Sequence, residues 1–165
     1  LTSLDLTPLD TAKVTVMTYM FESCHDLTSL DLKPLKTSNV TTMSDMFAGC
    51  SGLTSLDLKP LDTSRVTDMH AMFASCAGLK SLDLTPLDTS NVTDMSSMFQ
   101  ECGLTSLDLS PLYTSKDKDM SYMFHYCTSL SAITYGQKFV KANGLNVTDM
   151  FINCPANKPS WWTES

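Results

Sequence analysis

Six cysteines, three histidines and a recurring aspartate are the side chains with which this chain of 165 residues could do chemistry. His25, His70 and His125 fall at three unrelated places in the sequence, so no Ser/His/Asp or Cys/His arrangement for nucleophilic catalysis is visible. A pair of catalytic acids, as in hydrolases, cannot be distinguished here, because the repeat itself places aspartates at regular intervals. We therefore predict that the chain is not an enzyme, that it has no catalytic residues, and that it holds no cofactor or metal ion.

The cysteines are spaced almost equally, and each follows a phenylalanine by three residues: Cys24, Cys50, Cys76, Cys102, Cys127 and Cys154. If equivalent residues stack on successive coils, their Cβ atoms lie about 5 Å apart with parallel directions. A disulfide needs about 3.8 Å between Cβ atoms, and tetrahedral zinc needs ligands from several directions. The spacing therefore predicts buried free thiols that pack as small hydrophobic groups.

These residues belong to a unit of about 26 residues that recurs along the whole chain, represented by Leu53–Gly78, LTSLDLKPLDTSRVTDMHAMFASCAG. The copies span residues 1–26, 27–52, 53–78, 79–103 and 104–129, and a degenerate repeat with a cap spans 130–165. A fixed period of this length is typical of a solenoid, in which each copy forms one coil and stacks on its neighbours. We predict one solenoid domain over residues 1–165.

Two shorter periods within each copy predict its local structure. Leu56 and Leu58 alternate with polar residues, which predicts a short strand, and Pro60 ends it because proline has no N–H for a sheet ladder. Apolar residues then stand at i, i+3, i+4 and i+7 from Met69 to Cys76, which predicts a short helix. The predicted fold is an α/β, right-handed, leucine-rich-repeat-like solenoid of about six coils, each a short parallel strand plus a short helix. In the fifth copy Asp117 replaces valine, and we expect the segment around it to loosen or rotate, because an acid should not lie in the core.

The pattern Leu-x-x-Leu-x-Leu followed by Met-Phe-x-x-Cys resembles the BspA-like leucine-rich-repeat surface proteins. Residues 88–99, DTSNVTDMSSMF, reproduce a segment of their bacterial subgroup, with near-copies at 36–47 and 62–73. The resemblance implies a protein that is secreted or anchored on a microbial surface, with an adhesion role. Its partner would be a protein or glycoprotein on host or neighbouring cells. We expect a fragment of such a longer protein, because the first coil's flat face would otherwise be uncovered.

Three groups of residues are candidates for binding a partner. The first is an aspartate row on the outward face of the predicted strands: Asp5, Asp31, Asp57, Asp83 and Asp108. These like charges are either screened by solvent and neighbouring side chains or bind a cation or a basic protein segment. Calcium is coordinated by six to eight oxygens that surround it, which a flat row of carboxylates does not provide. A basic protein segment therefore fits this row better.

The second group is aromatic: Tyr19 and Tyr122 stand where the copies vary, and variation marks exposed positions, with Tyr113 and Tyr126 as further anchors. The third is the pair Trp161 and Trp162, which could bind sugar or could cover the last coil.

Other functions remain as alternatives or are disfavoured by composition. A structural stalk that presents another domain is the main alternative to an interaction module. Two threonine rows raise ice binding as a further alternative: Thr11, Thr37, Thr63, Thr89 and Thr114, and separately Thr15, Thr41, Thr67 and Thr93. A net charge of -7 without a basic cluster argues against nucleic acid and anionic membranes as partners. The chain also lacks a run of 18 apolar residues for direct membrane insertion.

Overall fold

The computed structural model describes residues 1–163, and within them the chain winds into stacked coils made largely of tight turns. Regular strands are limited to β1 (Ser106–Asp108) and β2 (Ala132–Thr134), which pair in parallel with Leu107 opposite Ile133. No helix forms in residues 1–163, so this part of the chain has no helix that could span a membrane. The solenoid prediction is confirmed. The helix predicted for each coil is wrong, and the strand predicted for each coil forms in only two of the coils within residues 1–163.

A continuous parallel ladder joins the coils along one side of the solenoid. Single bridges link equivalent residues of all six coils in the order Val16, Thr42, Asp68, Asp94, Asp119 and Asn146. This position directly precedes the segment that the sequence assigned to a helix. The ladder that holds most of the coils together therefore runs through the Thr-Asp-Met segment, while the Leu-x-Leu segment forms strands only at β1 and β2.

The segment predicted as a helix directs alternate amides along the solenoid axis instead of along the chain. In the second coil, the amides of Met43, Asp45, Phe47 and Gly49 donate to carbonyls of the third coil at 2.8–3.0 Å. The intervening amides close tight turns within the coil, as Met46 does to Met43 at 3.2 Å. Asp45 (φ 54°) and Gly49 (φ 73°) adopt the left-handed conformation that turns the backbone between these bonds. In an α-helix every amide would donate to a carbonyl of the same coil. In this backbone half of the amides donate to carbonyls of the next coil.

Columns of identical side chains fill the core. The phenylalanines of successive coils stack with ring centroids 5.3–5.8 Å apart, in the order Phe21, Phe47, Phe73, Phe99, Phe124 and Phe151. The leucines of the first and sixth repeat places and both methionine places line the same interior in the central coils, where their side chains are almost completely buried. Each inner coil thus buries its two flat sides against neighbours, which a single copy could not do.

The first threonine row lies inside the solenoid and joins adjacent coils. Thr63 Oγ1 donates to the Asp88 carbonyl at 3.0 Å and accepts the Asp88 amide at 2.8 Å. The same pair of bonds recurs at Thr11, Thr37, Thr89 and Thr114. Because these five side chains are buried, this row cannot order water at the surface as ice binding requires.

The last coil is covered on its core side by the C-terminal segment. Trp162 stands edge-on against the Phe151 ring, with centroids 4.8 Å apart, and Trp161 stacks on Phe139 at 5.9 Å. The side chain of Asn157 accepts the Ile133 amide and donates to the Ile133 carbonyl, both at 2.8 Å. Asn157 therefore imitates the backbone of one further coil and closes the edge of β2.

Candidate interaction surface

The predicted aspartate row is exposed, and each of its carboxylates closes a tight turn. Asp57 Oδ1 accepts the amide of Lys59 at 3.1 Å, and the equivalent bond to the residue two places on recurs in the other four copies at 2.8–3.1 Å. Hydrogen bonds from Thr7 lower the pKa of Asp5, and those from Thr85 lower the pKa of Asp83. The recurrence of these acids thus has a local cause, the Asx turn that leads into the proline.

A second acidic row consists of the ladder residues Asp68, Asp94 and Asp119, and its carboxylates bond to hydroxyl groups. Asp94 Oδ1 accepts the Ser96 amide at 2.9 Å and its hydroxyl at 2.5 Å, and Asp119 binds Ser121 in the same way. In the next coil, Asn146 Nδ2 donates to Asp119 Oδ2 at 3.0 Å. The row is continuous, yet within residues 1–163 no three acidic, histidine or cysteine side chains are placed to hold a metal ion.

His70 joins this row in an arrangement that the sequence did not reveal. Its Nδ1 lies 2.7 Å from Ser96 Oγ, and Ser96 donates its own proton to Asp94. In this arrangement His70 Nδ1 donates to Ser96 Oγ and does not act as a base toward the serine. In a hydrolase triad the carboxylate orients the histidine, which takes the serine proton. The only signal in the sequence is that His70 and Ser96 occupy one repeat place on adjacent coils.

The thiols are buried and donate to the backbone. Cys50 Sγ donates to the Phe21 carbonyl at 3.1 Å, and Cys76, Cys102 and Cys127 make the same bond to the preceding coil. Burial raises the pKa of Cys50 and of Cys127 to about 12. All six cysteines are free, and five are buried while Cys24 is half-buried, so the prediction of unbridged thiols is confirmed. Thiols with such pKa values are poor nucleophiles at neutral pH.

Asp117 is completely buried where most other coils have valine. Its Oδ1 accepts the Asp119 amide at 3.2 Å, but its Oδ2 has no hydrogen-bond partner among residues 1–163. Burial raises the pKa of Asp117 to about 7. The ladder bonds on either side are kept, from Lys118 to Thr93 at 2.9 Å and from Met120 to Asn146 at 2.8 Å. The expected loosening of this segment does not occur, because the neighbouring coils hold the backbone in register.

The two predicted tyrosines occupy the same repeat place near opposite ends of the solenoid. Tyr19 is 57% exposed and Tyr122 is 38% exposed, and both have left-handed backbones. Of the two, Tyr122 packs beside other aromatic rings. The centroid of the His125 ring lies 5.3 Å from that of Tyr122, and the centroid of the Tyr126 ring lies 4.5 Å from that of His125. The structure thus brings Tyr122 together with Tyr126 and leaves Tyr19 apart.

Trp161 and Trp162 are half-buried against the last coil, and the Trp161 indole donates to the Phe139 carbonyl at 3.3 Å. They border a cleft of about 720 Å³ whose other walls include Lys141 and Lys158. Lys158 Nζ is already engaged by the carbonyls of Cys154 and Ala156, each at 3.0 Å. The tryptophans therefore have packing roles, and their predicted part in binding stays a prediction.

The second threonine row faces outward, and its hydroxyls bond to the backbone. Thr67 Oγ1 donates to the Thr41 carbonyl at 3.2 Å, and Thr41 and Thr93 donate in the same way to the preceding coil. Lys118 occupies this place in the fifth coil and interrupts the row.

Comparison with protein families gives one family, whose two matched segments together cover residues 2–162. A family described as "Mycoplasma protein of unknown function, DUF285" matches residues 2–80 and again residues 52–162. The chain belongs to this family. The two matches overlap, as expected for a repeat protein, because similar copies can align with the same part of the family model. None of the curated proteins matches this DUF285 member.

Two solved structures resemble the DUF285 chain. A Treponema pallidum leucine-rich-repeat protein is 21% identical with a TM-score of 0.49, and the match covers 79% of this chain and 56% of that one. A Bacteroides ovatus leucine-rich-repeat protein is 13% identical with a TM-score of 0.25, covering 93% of this chain and 73% of that one. The chain therefore spans little more than half of the T. pallidum protein. Our assignment of a solenoid rests on the stacked coils themselves.

Proposed function

We propose that this chain is a non-catalytic protein-interaction module. The observation that carries the proposal is one repeat place with a constant backbone and a changing side chain, which is exposed in the first, fifth and sixth coils, half-buried in the second and fourth, and buried in the third. All six copies hold it in the left-handed conformation, with φ between 49° and 61°, yet it carries Tyr19, Asp45, Ala71, Ser97, Tyr122 and Asp149. A rigid backbone that presents variable side chains in register is the usual basis of recognition by repeat proteins.

The chemistry of the polar groups supports binding over catalysis. The aspartates close turns, the thiols are buried, and His70 is oriented as a donor toward Ser96. None of these groups is placed to act as a nucleophile with its base. What the exposed surface offers is a set of ordered rows with a net charge of -7 over the whole chain. Such a surface favours a partner with basic groups.

The finer part of the proposal concerns where the module works. The resemblance to BspA-like surface proteins supports a secreted or surface-anchored microbial protein that adheres to a protein or glycoprotein of host or neighbouring cells. The aspartate row from Asp5 to Asp108 is the surface that we assign to a basic partner. Its carboxylates are exposed, and each keeps a second oxygen free of the Asx-turn bond.

A pull-down tests the interaction module, with the chain immobilised and purified matrix glycoproteins and mucin applied. The variant Asp31→Asn/Asp57→Asn/Asp83→Asn is the matched comparison, because asparagine keeps the acceptor of the Asx turn and removes the charge. We expect a partner to be retained by the natural chain and released at least tenfold more readily from the variant. A chain that retains nothing specifically would refute the module.

A structural stalk is the second candidate function, and the continuous ladder from Val16 to Asn146 favours it. Backbone hydrogen bonds along the whole axis resist extension. Under this alternative the exposed rows have no partner, so the pull-down gives the opposite result.

A further inference from the structure

Two exposed tyrosines stand on one coil at its two left-handed positions. Tyr122 has φ 60° and Tyr126 has φ 56°. The left-handed backbone costs roughly 1–2 kcal/mol for a residue with a Cβ atom. Asn and Asp tolerate it better than most residues, and bulky side chains are rare there. The second coil meets the same requirement with Asp45 and Gly49, which tolerate it well. A coil that uses tyrosine at both positions has a lower stability than one with glycine, asparagine or aspartate there.

Both tyrosine side chains stay partly exposed in spite of this cost. Tyr122 is 38% exposed and Tyr126 is 48% exposed, and Ile152 beside them is 42% exposed. His125 lies between the two rings and holds them nearly perpendicular to its own plane, at 87° and 74°. The rings are therefore ordered and partly open to solvent, as binding anchors are.

An acidic residue stands next to each tyrosine on the neighbouring coil. Glu101 occupies the place of Tyr126 one coil earlier, and Asp149 occupies the place of Tyr122 one coil later. Backbone bonds fix this register, from Glu101 to the carbonyl of His125 at 2.9 Å and from Tyr122 to the carbonyl of Thr148 at 3.0 Å. Equivalent side chains on adjacent coils point the same way at about 5 Å. Within residues 1–163 neither acid forms an ion pair with lysine or arginine.

A tyrosine ring beside an unpaired carboxylate is complementary to a cation. The ring face attracts ammonium and guanidinium groups, and the carboxylate supplies the opposite charge. The same solenoid already shows the contact internally, since Lys138 Nζ lies 4.1 Å from the centroid of the Tyr113 ring. In the described part of the chain, the Glu101 side chain accepts two long hydrogen bonds, from Ser75 and Gln100, each at 3.4 Å.

We propose that Tyr122 and Tyr126, with Glu101 and Asp149, form a binding site for an arginine or lysine side chain of a partner protein. The inference rests on the proposed function, for which it names one contact and the chemistry of the partner. The site differs from the aspartate row, because its residues belong to the left-handed positions and not to the Asx turns.

The test uses three synthetic nonapeptides that differ in one residue type: Arg-Gly-Ser, Lys-Gly-Ser and Gln-Gly-Ser, each repeated three times. Each peptide is titrated into the whole chain at low salt, and binding is followed by calorimetry and by amide chemical shifts. We expect the arginine and lysine peptides to bind at least tenfold more tightly than the glutamine peptide. The largest shifts should fall on the coils that carry Tyr122 and Tyr126.

The decisive variant is Tyr122→Ser/Tyr126→Gly, because the chain itself places Ser97 and Gly49 at these two positions. It should unfold at no lower temperature than the natural chain and should bind the arginine peptide at least tenfold more weakly. Glu101→Gln/Asp149→Asn should weaken binding severalfold. Ser23→Gly is the matched control, since it makes the glycine change at the repeat place of Tyr126 in the first coil, and it should leave peptide binding unchanged.

Equal binding by the natural chain and the tyrosine variant would overturn the proposed site, and so would a natural chain that fails to bind the arginine peptide. Either result leaves the interaction module standing, because the pull-down reports on the module independently of these peptides. A pull-down that fails while the peptide titration succeeds refutes the proposed function and leaves the site as a contact for basic side chains.

Discussion

The backbone amide of Phe47 donates to the carbonyl of Met72 in the next coil at 3.0 Å, and Phe73 and Phe99 repeat the bond to Met98 and Met123. Each phenylalanine thus packs in the core column while its own amide ties that coil to the following one. Amides at the four alternate places all point toward the C-terminal end of the solenoid. Packing and hydrogen bonding therefore act at the same interface between coils.

Ser75→Gly tests the left-handed backbone of the segment predicted as a helix. Ser75 has φ 56°, and glycine fills the equivalent place at Gly49. Relief of the conformational cost should raise the free energy of unfolding by about 0.5–1 kcal/mol, as measured by urea denaturation. In a helix the same change would lower it by a similar amount. Ser51→Gly, at a residue without positive φ, should be neutral or destabilising.

Asp117 should make stability depend on pH. The folded chain keeps this proton up to about pH 7, whereas an unfolded aspartate loses it near pH 4. Between these values the folded state binds more protons, so stability falls as pH rises, by about 1.4 kcal/mol per pH unit. Urea denaturation between pH 4 and 8 should show this slope for the natural chain. Asp117→Asn should remove it, and Asp57→Asn, at an exposed site, should leave it in place.

Thr63→Val tests the buried hydroxyl row. Valine keeps the shape but leaves the Asp88 amide and carbonyl without the two bonds of Thr63 Oγ1. The free energy of unfolding should fall by about 1–3 kcal/mol. Thr67→Val is the control, because its hydroxyl is exposed and its amide keeps the 2.9 Å bond to Thr41. A control that destabilises as much as Thr63→Val would contradict the assigned role.

Thiol labelling should separate Cys24 from the other five cysteines. In the native chain an aromatic disulfide reagent should modify Cys24 first, since it alone is half-buried. The remaining five should react only as the chain unfolds, because burial excludes the reagent and raises their pKa where a shift is resolved. Denatured chain should give six thiols without reductant. Cys24→Ser should abolish the fast phase, and a fast phase that persists would show that another coil opens.

The helix prediction was wrong because tight turns can have nearly the same period as a helix. From Met69 to Cys76 the apolar side chains stand at helical offsets and are all buried, as predicted. A right-handed stretch broken by a left-handed residue at every fourth place, Ala71 and Ser75, also brings these positions to one face. Offsets report which residues face the core, and they do not report where the amides point.

The candidate site was predictable only in part for a related reason. Tyr122 was identified from its variation between copies, while its pairing with Tyr126 through His125 depends on rings fixed by a left-handed backbone. The contact of His70 with Ser96 likewise joins residues of adjacent coils. Both become visible in a sequence only when the copies are aligned and the direction of each side chain is known.

The repeat by itself determined the stacking of coils, the leucine and phenylalanine core and the unbridged thiols, because a 26-residue copy cannot bury its flat faces without identical neighbours. Tertiary structure alone decided the path of the backbone within a coil and the partners of its polar groups. Amides that bond to the next coil gain their partners only after stacking, so no pattern inside one copy records them. The register between coils also places Glu101 and Asp149 beside the tyrosines.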